Sequence, residues 1–302
     1  MRGCFAVPEP TVDNKLMRRR RTFIDLATHT IAVVGGLLCL GIVTAVLGWI
    51  ILRGAPHVDL HFFWEASRES GLAGGIRYQI AGTIILMLTT LAVAVPLSIG
   101  LALAATVYLP RGAARSALQG FLQLLNAMPS ILFGIVGYLF FFHYLGWGKS
   151  WLAGGLVLGW MILPTVTISL IKSMEAIPLK QIHAAAGLGM RRGQIIRSIY
   201  LPQSVRGLFT GSFLGLARAA GETAPILFVA TVFAGVSLPE GIRDSPVLAL
   251  PYHIFVLAQD SLQAGAIENL WATAFVLVAL VIGLSLTVLP FRLHNSNRRD
   301  HA

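Results

Sequence analysis

The sequence predicts an all-α polytopic membrane protein with six transmembrane helices and both termini in the cytoplasm. Three observations carry that expectation. Of 302 residues, 56% are hydrophobic and only 12% are charged, with a mean hydropathy of +0.75, which is not the balance of a soluble domain. Six runs reach the ~20 apolar residues that a helix needs to cross the hydrocarbon: Thr30–Leu52, Ile80–Leu109, Leu122–Leu145, Trp151–Ile171, Val205–Phe233 and Asn269–Leu289. Finally, 17 of the 23 Lys and Arg residues fall in the segments on the N-terminal side, five in the opposite loops and one, Arg218, within a span. The positive-inside rule then places both ends in the cytoplasm.

In chain order, residues 1–29 form a basic cytoplasmic tail, whose polar stretch 1–22 closes on Arg18-Arg19-Arg20-Arg21, an anchor for the first span. That apolar run has spanning length, so it reads as a retained helix rather than a cleaved leader. The membrane region covers 30–291. Its first external segment carries Phe62, Phe63 and Trp64, side chains suited to the headgroup level. The second span contains Pro96, and the short inner loop after it holds Arg111 and Arg115. Asn126-Ala127-Met128-Pro129-Ser130 opens the third span, and the fourth contains Pro164. Proline frees a backbone carbonyl, so these bends are expected against neighbouring helices or a wet pathway, away from lipid.

The inner loop 172–204 differs in kind from the others. Ala184, Ala185 and Ala186 are followed by Gly187 and Gly189, then by a basic amphipathic stretch with Ile195, Ile196 and Ile199 at helical spacing. Small side chains allow another surface close to the backbone, and the glycines permit a turn. The expected structure is a short helix, a bend and a second short helix offered to a partner outside the membrane.

The fifth span carries Gly207, Gly211, Gly215 and Ala219 every four residues, a stripe for close helix packing. It also carries Arg218 and Glu222, which at i, i+4 are within reach of one another. An ionisable group at the bilayer centre costs roughly 2.5–3.5 kcal/mol even on lenient scales, so both are expected to face protein or a pathway. Two readings stay open for the pair: a structural tie between helices, or an anion station built on the Arg fork. The external loop 236–268 contains Leu248–Ala258, apolar but too short to span, which reads as a re-entrant or interfacial helix. Glu240, Asp244, Asp260 and Glu268 surround it against a single Arg243. The sixth span ends in the basic cytoplasmic tail 292–302.

Several functions are excluded. The net charge of +10 is spread over loops rather than gathered on one surface, so a nucleic-acid partner is not expected. Gly148-Lys149-Ser150 mimics the end of a P-loop, but the first glycine would stand at His143 and no strand precedes it, so no ATPase site is expected. No zinc-protease, nucleophile-elbow, CxxC or dinucleotide motif is present, and neither a metal, a cofactor nor an enzymatic activity is expected. His143 and His253 read as interfacial side chains, and Cys4 and Cys39 are not placed to form a disulfide.

Ala184-Ala185, Gly189, Ile199 and Leu201-Pro202 fall at the spacing of the EAA loop of ABC-transporter permeases, with His183 at its acidic position. Ala217-Arg218-Ala219-Ala220-Gly221-Glu222-Thr223-Ala224-Pro225-Ile226-Leu227-Phe228 resembles the ARxxGETAPLLF motif of PstA-type phosphate permeases. Asn126 to Ile131 is similar to that family's APSI segment, and Leu250 to Phe255 to its LPxxIF. The matches extend over roughly residues 80–290 in the family's order. The resemblance implies a type I ABC importer permease fold in the plasma (inner) membrane of a prokaryote. It further implies a PstC-like second permease, two copies of a PstB-like ATPase, an external PstS-like binding protein and phosphate as substrate. His183, Ala184, Ala185, Gly189, Ile199, Leu201 and Pro202 would dock the ATPase, and Arg218 and Glu222 would lie in the translocation region. A permease for another oxyanion (phosphonate, sulfate or molybdate) is the same-class alternative, and an ATP-independent channel or carrier the different-class one.

Overall fold

The computed structural model describes residues 12–68, 71–110, 112–232, 238–263, 265–287 and 289, with side chains from residue 25 onward. The expected C-terminal tail 292–302, residues 1–11, Arg111, the Arg18–Arg21 side chains and the end of the fifth span at Phe233 lie outside that description. Two compact units divide after Leu52. The first holds nearly all of helix α1 (Val12–Gly54). Its Leu37, Leu38, Leu40 and Ile42 are at least 60% exposed; a helix that is apolar all round is suited to lipid.

The second unit is organised on α6 (Trp151–Glu175), most of whose residues are buried in protein. It lies between α3 (Arg77–Leu103) and α9 (Leu201–Ala220). Glycine permits both contacts. A Cβ on Gly155 would stand 2.4 Å from Thr89 Cγ2 of α3, and one on Gly207 would stand 2.3 Å from Ser173 Cβ of α6. Gly211 meets Ser169 and Val166, and Gly215 meets Ile162, so the small-residue stripe of α9 lies on α6. Ser169 Oγ donates to Gly207 O at 2.9 Å across the same interface. Lipid tails are as apolar as leucine, so close packing and such bonds, rather than the hydrophobic effect, hold spanning helices together.

Among the described residues, four helices are long and apolar enough to cross a bilayer: Asp25–His57, Arg77–Tyr108, Trp151–Glu175 and Ala266–Thr287. The other two expected spans are broken. In place of a continuous 122–145, α4 (Ala113–Ala127) and α5 (Ser130–Gly137, extended by a π-helical Tyr138–Tyr144) meet at 93°. Pro129 has no N–H to continue the ladder, and it forces Met128 to an extended ψ of 137°. In place of a continuous 205–233, α9 ends at Ala220 and α10 (Ala224–Val229) starts after Gly221-Glu222-Thr223, with Pro225 in its first turn. The two breaks are neighbours: a Cβ on Gly134 of α5 would stand 2.8 Å from Pro225 Cα.

On the expected external side, α2 (Leu60–Trp64) is capped by Asp59, whose Oδ1 accepts from Phe62 N at 2.8 Å. A two-stranded hairpin follows, β1 (Ser67–Arg68) with β2 (Ala73–Gly74). The short apolar helix α11 (Leu250–Gln259) buries Leu250, Pro251, His253, Val256 and Leu257 against α3 and α12 (Ala266–Thr287). Leu250 N donates to Thr83 Oγ1, and Gln79 Nε2 lies 3.4 Å from His253 Nδ1. Burial pulls the His253 pKa down to about 4, so this helix is sealed by a neutral imidazole. Lys149, in the motif that mimicked a P-loop, donates to Leu227 O and Thr231 O and ties the loop to α10. Burial lowers its pKa as well.

Candidate coupling loop and translocation site

One continuous helix, Arg192–Ala220, runs from the loop expected to dock a partner toward the charged pair expected in the membrane. α7 (Leu179–Gly187) ends in a Schellman turn: Met190 N donates to Ala185 O at 3.1 Å and Gly189 N to Ala186 O at 3.0 Å. That closure needs a left-handed residue, and Gly189 supplies it with φ of +79°. The chain then enters α8 (Arg192–Ile195), where Gln194 Oε1 accepts from Arg191 N at 2.7 Å. The second helix is not short, however. α8, a π-helical Ile196–Tyr200 and α9 follow one another without a break from Arg192 to Ala220. Pro202 cannot donate to the residue four before it, and the widened π turn beside it lets the helix continue. At 1.5 Å per residue this rod is roughly 40 Å long.

The loop residues separate into two groups. His183, Ala184, Gly189 and Pro202 are exposed, as are Gly187 and Leu188 beside them. Ala185 is buried, and Ile199 and Leu201 are half-buried against a cluster that includes Leu170, Ile171, Met174, Ile195, Ile196 and Tyr200. The latter three therefore hold the elbow onto α6, while the former form its outer face. Gln203 Nε2 donates to Gln181 Oε1 at 3.0 Å, tying the start of α9 to α7. Next to the elbow, a cleft of about 570 Å³ is lined by Arg115, Gln119, Glu175 and Tyr200, among others. Arg115 and Glu175 form an ion pair across it, between α4 and the end of α6.

At the other end of the rod, Arg218 occupies the last turn of α9, where a cation complements the free carbonyls of the helix. Glu222 is not on the same helix. It lies in the break, its N–H donating to Ala219 O, and its Oε1 is 3.5 Å from Arg218 Nε. This is an ion pair, longer than a tight hydrogen bond. Arg218 Nη1 also donates to Asn126 Oδ1 at 3.2 Å, and Thr165 Oγ1 donates to the same oxygen at 3.1 Å. The side chains of Arg218 and Glu222 are 33% and 18% exposed, and Asn126 is exposed. The polar cluster thus gathers the last turn of α4, the middle of α6, the last turn of α9 and the α9–α10 break. The sequence pointed to Arg218 and Glu222 alone. Asn126 stood in a recognised motif without a role, and Thr165 next to Pro164 gave no signal.

Residues 94–299 match the family described as binding-protein-dependent transport system inner membrane component. Over 259 residues the chain is 31% identical to the phosphate transport system permease protein PstA 2 of Mycobacterium tuberculosis, covering 84% of this chain and 83% of that one. It is 27% identical over 285 residues to PstA of Xylella fastidiosa, covering 94% and 98%. Among solved structures, a bacterial alginate ABC transporter in complex with its oligosaccharide-bound periplasmic protein superposes with a TM-score of 0.56 at 14% identity, over 89% of this chain and 93% of that one. The last likeness concerns the fold, while the sequence matches cover most of the molecule, including both broken helices and the elbow. The chain therefore belongs to the binding-protein-dependent transport system inner membrane components, as a PstA-type permease subunit of an ABC importer.

Proposed function

We propose that this subunit forms half of the translocation pathway of an ATP-driven importer of inorganic phosphate in the plasma (inner) membrane of a prokaryote. Its partners are a PstC-like second permease, two PstB-like ATPases docked on the elbow, and an external PstS-like phosphate-binding protein. The observation that carries the reading is the unbroken helix from the elbow to Arg218. A partner that moves the exposed face at His183, Ala184 and Gly189 moves the guanidinium with it. The names of the PstA relatives support phosphate as the anion. In this reading α9 and α10 together make one crossing and α4 with α5 another. The crossings then number six, and both termini lie in the cytoplasm.

At the break, Glu222 keeps the resting site close to neutral, and an incoming phosphate oxygen competes with it for Arg218. A fork already shared with a carboxylate binds an anion weakly enough to release it. The test uses the complex purified through a tag on this chain and placed in vesicles with the binding protein outside and ATP inside. An ATPase should copurify, and phosphate uptake should require ATP. Arg218→Gln should lower uptake by more than about tenfold, as for loss of a hydrogen bond to a charged group, with every subunit still associated. Undiminished uptake in that variant overturns the anion station, and uptake without ATP overturns the importer.

A further inference from the structure

We infer that Asn126 is a second anion-recognition residue of this site, its side-chain amide locked so that the NH2 group faces the anion and the carbonyl faces Arg218 and Thr165. The inference rests on the proposed anion station and adds to it the residue that shapes it. Asn126 Oδ1 accepts two hydrogen bonds, from Thr165 Oγ1 at 3.1 Å and Arg218 Nη1 at 3.2 Å, which occupies both of its lone pairs. A guanidinium has donors only, so turning the amide over would set N–H against N–H. The orientation is therefore dictated by chemistry. With the oxygen occupied, Nδ2 has no protein partner among the described residues, and Asn126 is exposed.

Three elements enforce this arrangement. Asn126 is in the last turn of α4, just before the Met128–Pro129 bend, so its direction is set by where that helix stops. Thr165 lies on the central helix α6 and acts as a positioning residue: its hydroxyl proton is already committed to Asn126. Arg218 closes the set from α9. The outward donors are then the two Nδ2 N–H groups and the guanidinium N–H groups left by Asn126 and Glu222. A tetrahedral oxyanion meets one cation and one neutral donor pair side by side. The amide adds hydrogen bonds without adding charge, and a second cation here would slow release.

The test compares variants in the assembled, vesicle-embedded complex with saturating binding protein, scoring phosphate moved per ATP hydrolysed and recovery of all subunits. Asn126→Asp places a carboxylate where the anion would sit. It should lower phosphate moved per ATP by about ten- to a hundredfold, the range for a hydrogen bond to a charged group, with assembly and binding-protein-stimulated ATP hydrolysis retained. The double variant Asn126→Asp with Glu222→Gln restores the formal charge of the cluster and should stay defective, because the donors are still missing. Thr165→Val should lower the same ratio by only a few-fold, since the amide is loosened but present. Should Asn126→Asp fail to assemble, Asn126→Ser carries the test: it keeps an acceptor, lacks the NH2 group and should show the same loss. Recovery of transport in the double variant overturns the inference, as it leaves Asn126 no part beyond charge balance. Normal transport in Asn126→Asp or Asn126→Ser alongside a dead Arg218→Gln also overturns it while sparing the anion station; an active Arg218→Gln removes both.

Discussion

Gly189 and Gly187 stand two residues apart on an exposed surface, yet the elbow depends on only one of them. Neither has any atom within 4 Å of where a Cβ would be, but Gly189 holds φ of +79° whereas Gly187 is helical. A left-handed backbone costs a residue with a Cβ roughly 1–2 kcal/mol. Gly189→Ala or Gly189→Val should therefore lower the amount of ATPase recovered with the complex, while Gly187→Ala leaves it unchanged. The thermal unfolding temperature of the permease should fall slightly in the Gly189 variants, which carry that strain, and not in Gly187→Ala. Equal ATPase recovery in Gly189→Val and Gly187→Ala would detach docking from the geometry of this turn. Buried His253 gives a second residue-scale expectation. Its folded pKa of about 4 lies below the usual value near ~6.5, so its contribution to stability is full above that value and falls as the pH drops toward 4. The loss of thermal stability between pH 6.5 and 4.5 should be smaller in His253→Gln than in the parent; parallel losses would show that other groups dominate.

At the scale of elements, the α6–α9 interface and the two proline breaks decide where the polar cluster sits. Gly211 admits no side chain: a Cβ would lie 2.8 Å from Ser169 Cβ and 3.0 Å from Val166 Cα. Overpacking of this kind costs typically ~1–3 kcal/mol, and Gly211→Leu should reduce the yield of assembled complex and its melting temperature. Gly283→Leu on α12, where nothing lies within 4 Å, should do neither. The small-residue stripe was legible because its period matches the helix. That the stripe faces α6 was not, because periodicity gives a face and not its partner. Pro129 was legible as a bend but not as a right-angle turn, and the second break was missed. Gly221-Glu222-Thr223 is short, and the apolar residues on either side conceal it in a hydropathy average.

For the whole molecule, the expectation is six crossings with the elbow and both termini on one side. Thiol labelling reads it directly. In a chain with Cys4 and Cys39 replaced by Ser, Glu240→Cys should react with a membrane-impermeant maleimide from outside intact cells. Leu188→Cys, at a position 84% exposed in the elbow, should react only after permeabilisation. Labelling of both from outside would invalidate the orientation on which the importer reading depends.

What the sequence determined by itself is everything that rests on local chemistry. Apolar runs of bilayer length, loop charge, the spacing of the elbow and the Arg218–Glu222 pair are properties of neighbouring residues, and each can be read from periodicity or cost in lipid. The tertiary structure alone decided what meets across long separations. Asn126, Thr165 and Arg218 are far apart in the chain and share one carbonyl oxygen only because α4 stops at a proline and α9 lies against α6 on its glycines. Ile199 and Leu201, read as docking residues, turn inward because the elbow needs a buried floor on α6. Hydrogen bonds between distant residues leave no period in a sequence, so the composition of this polar cluster became visible only when the helices were in place.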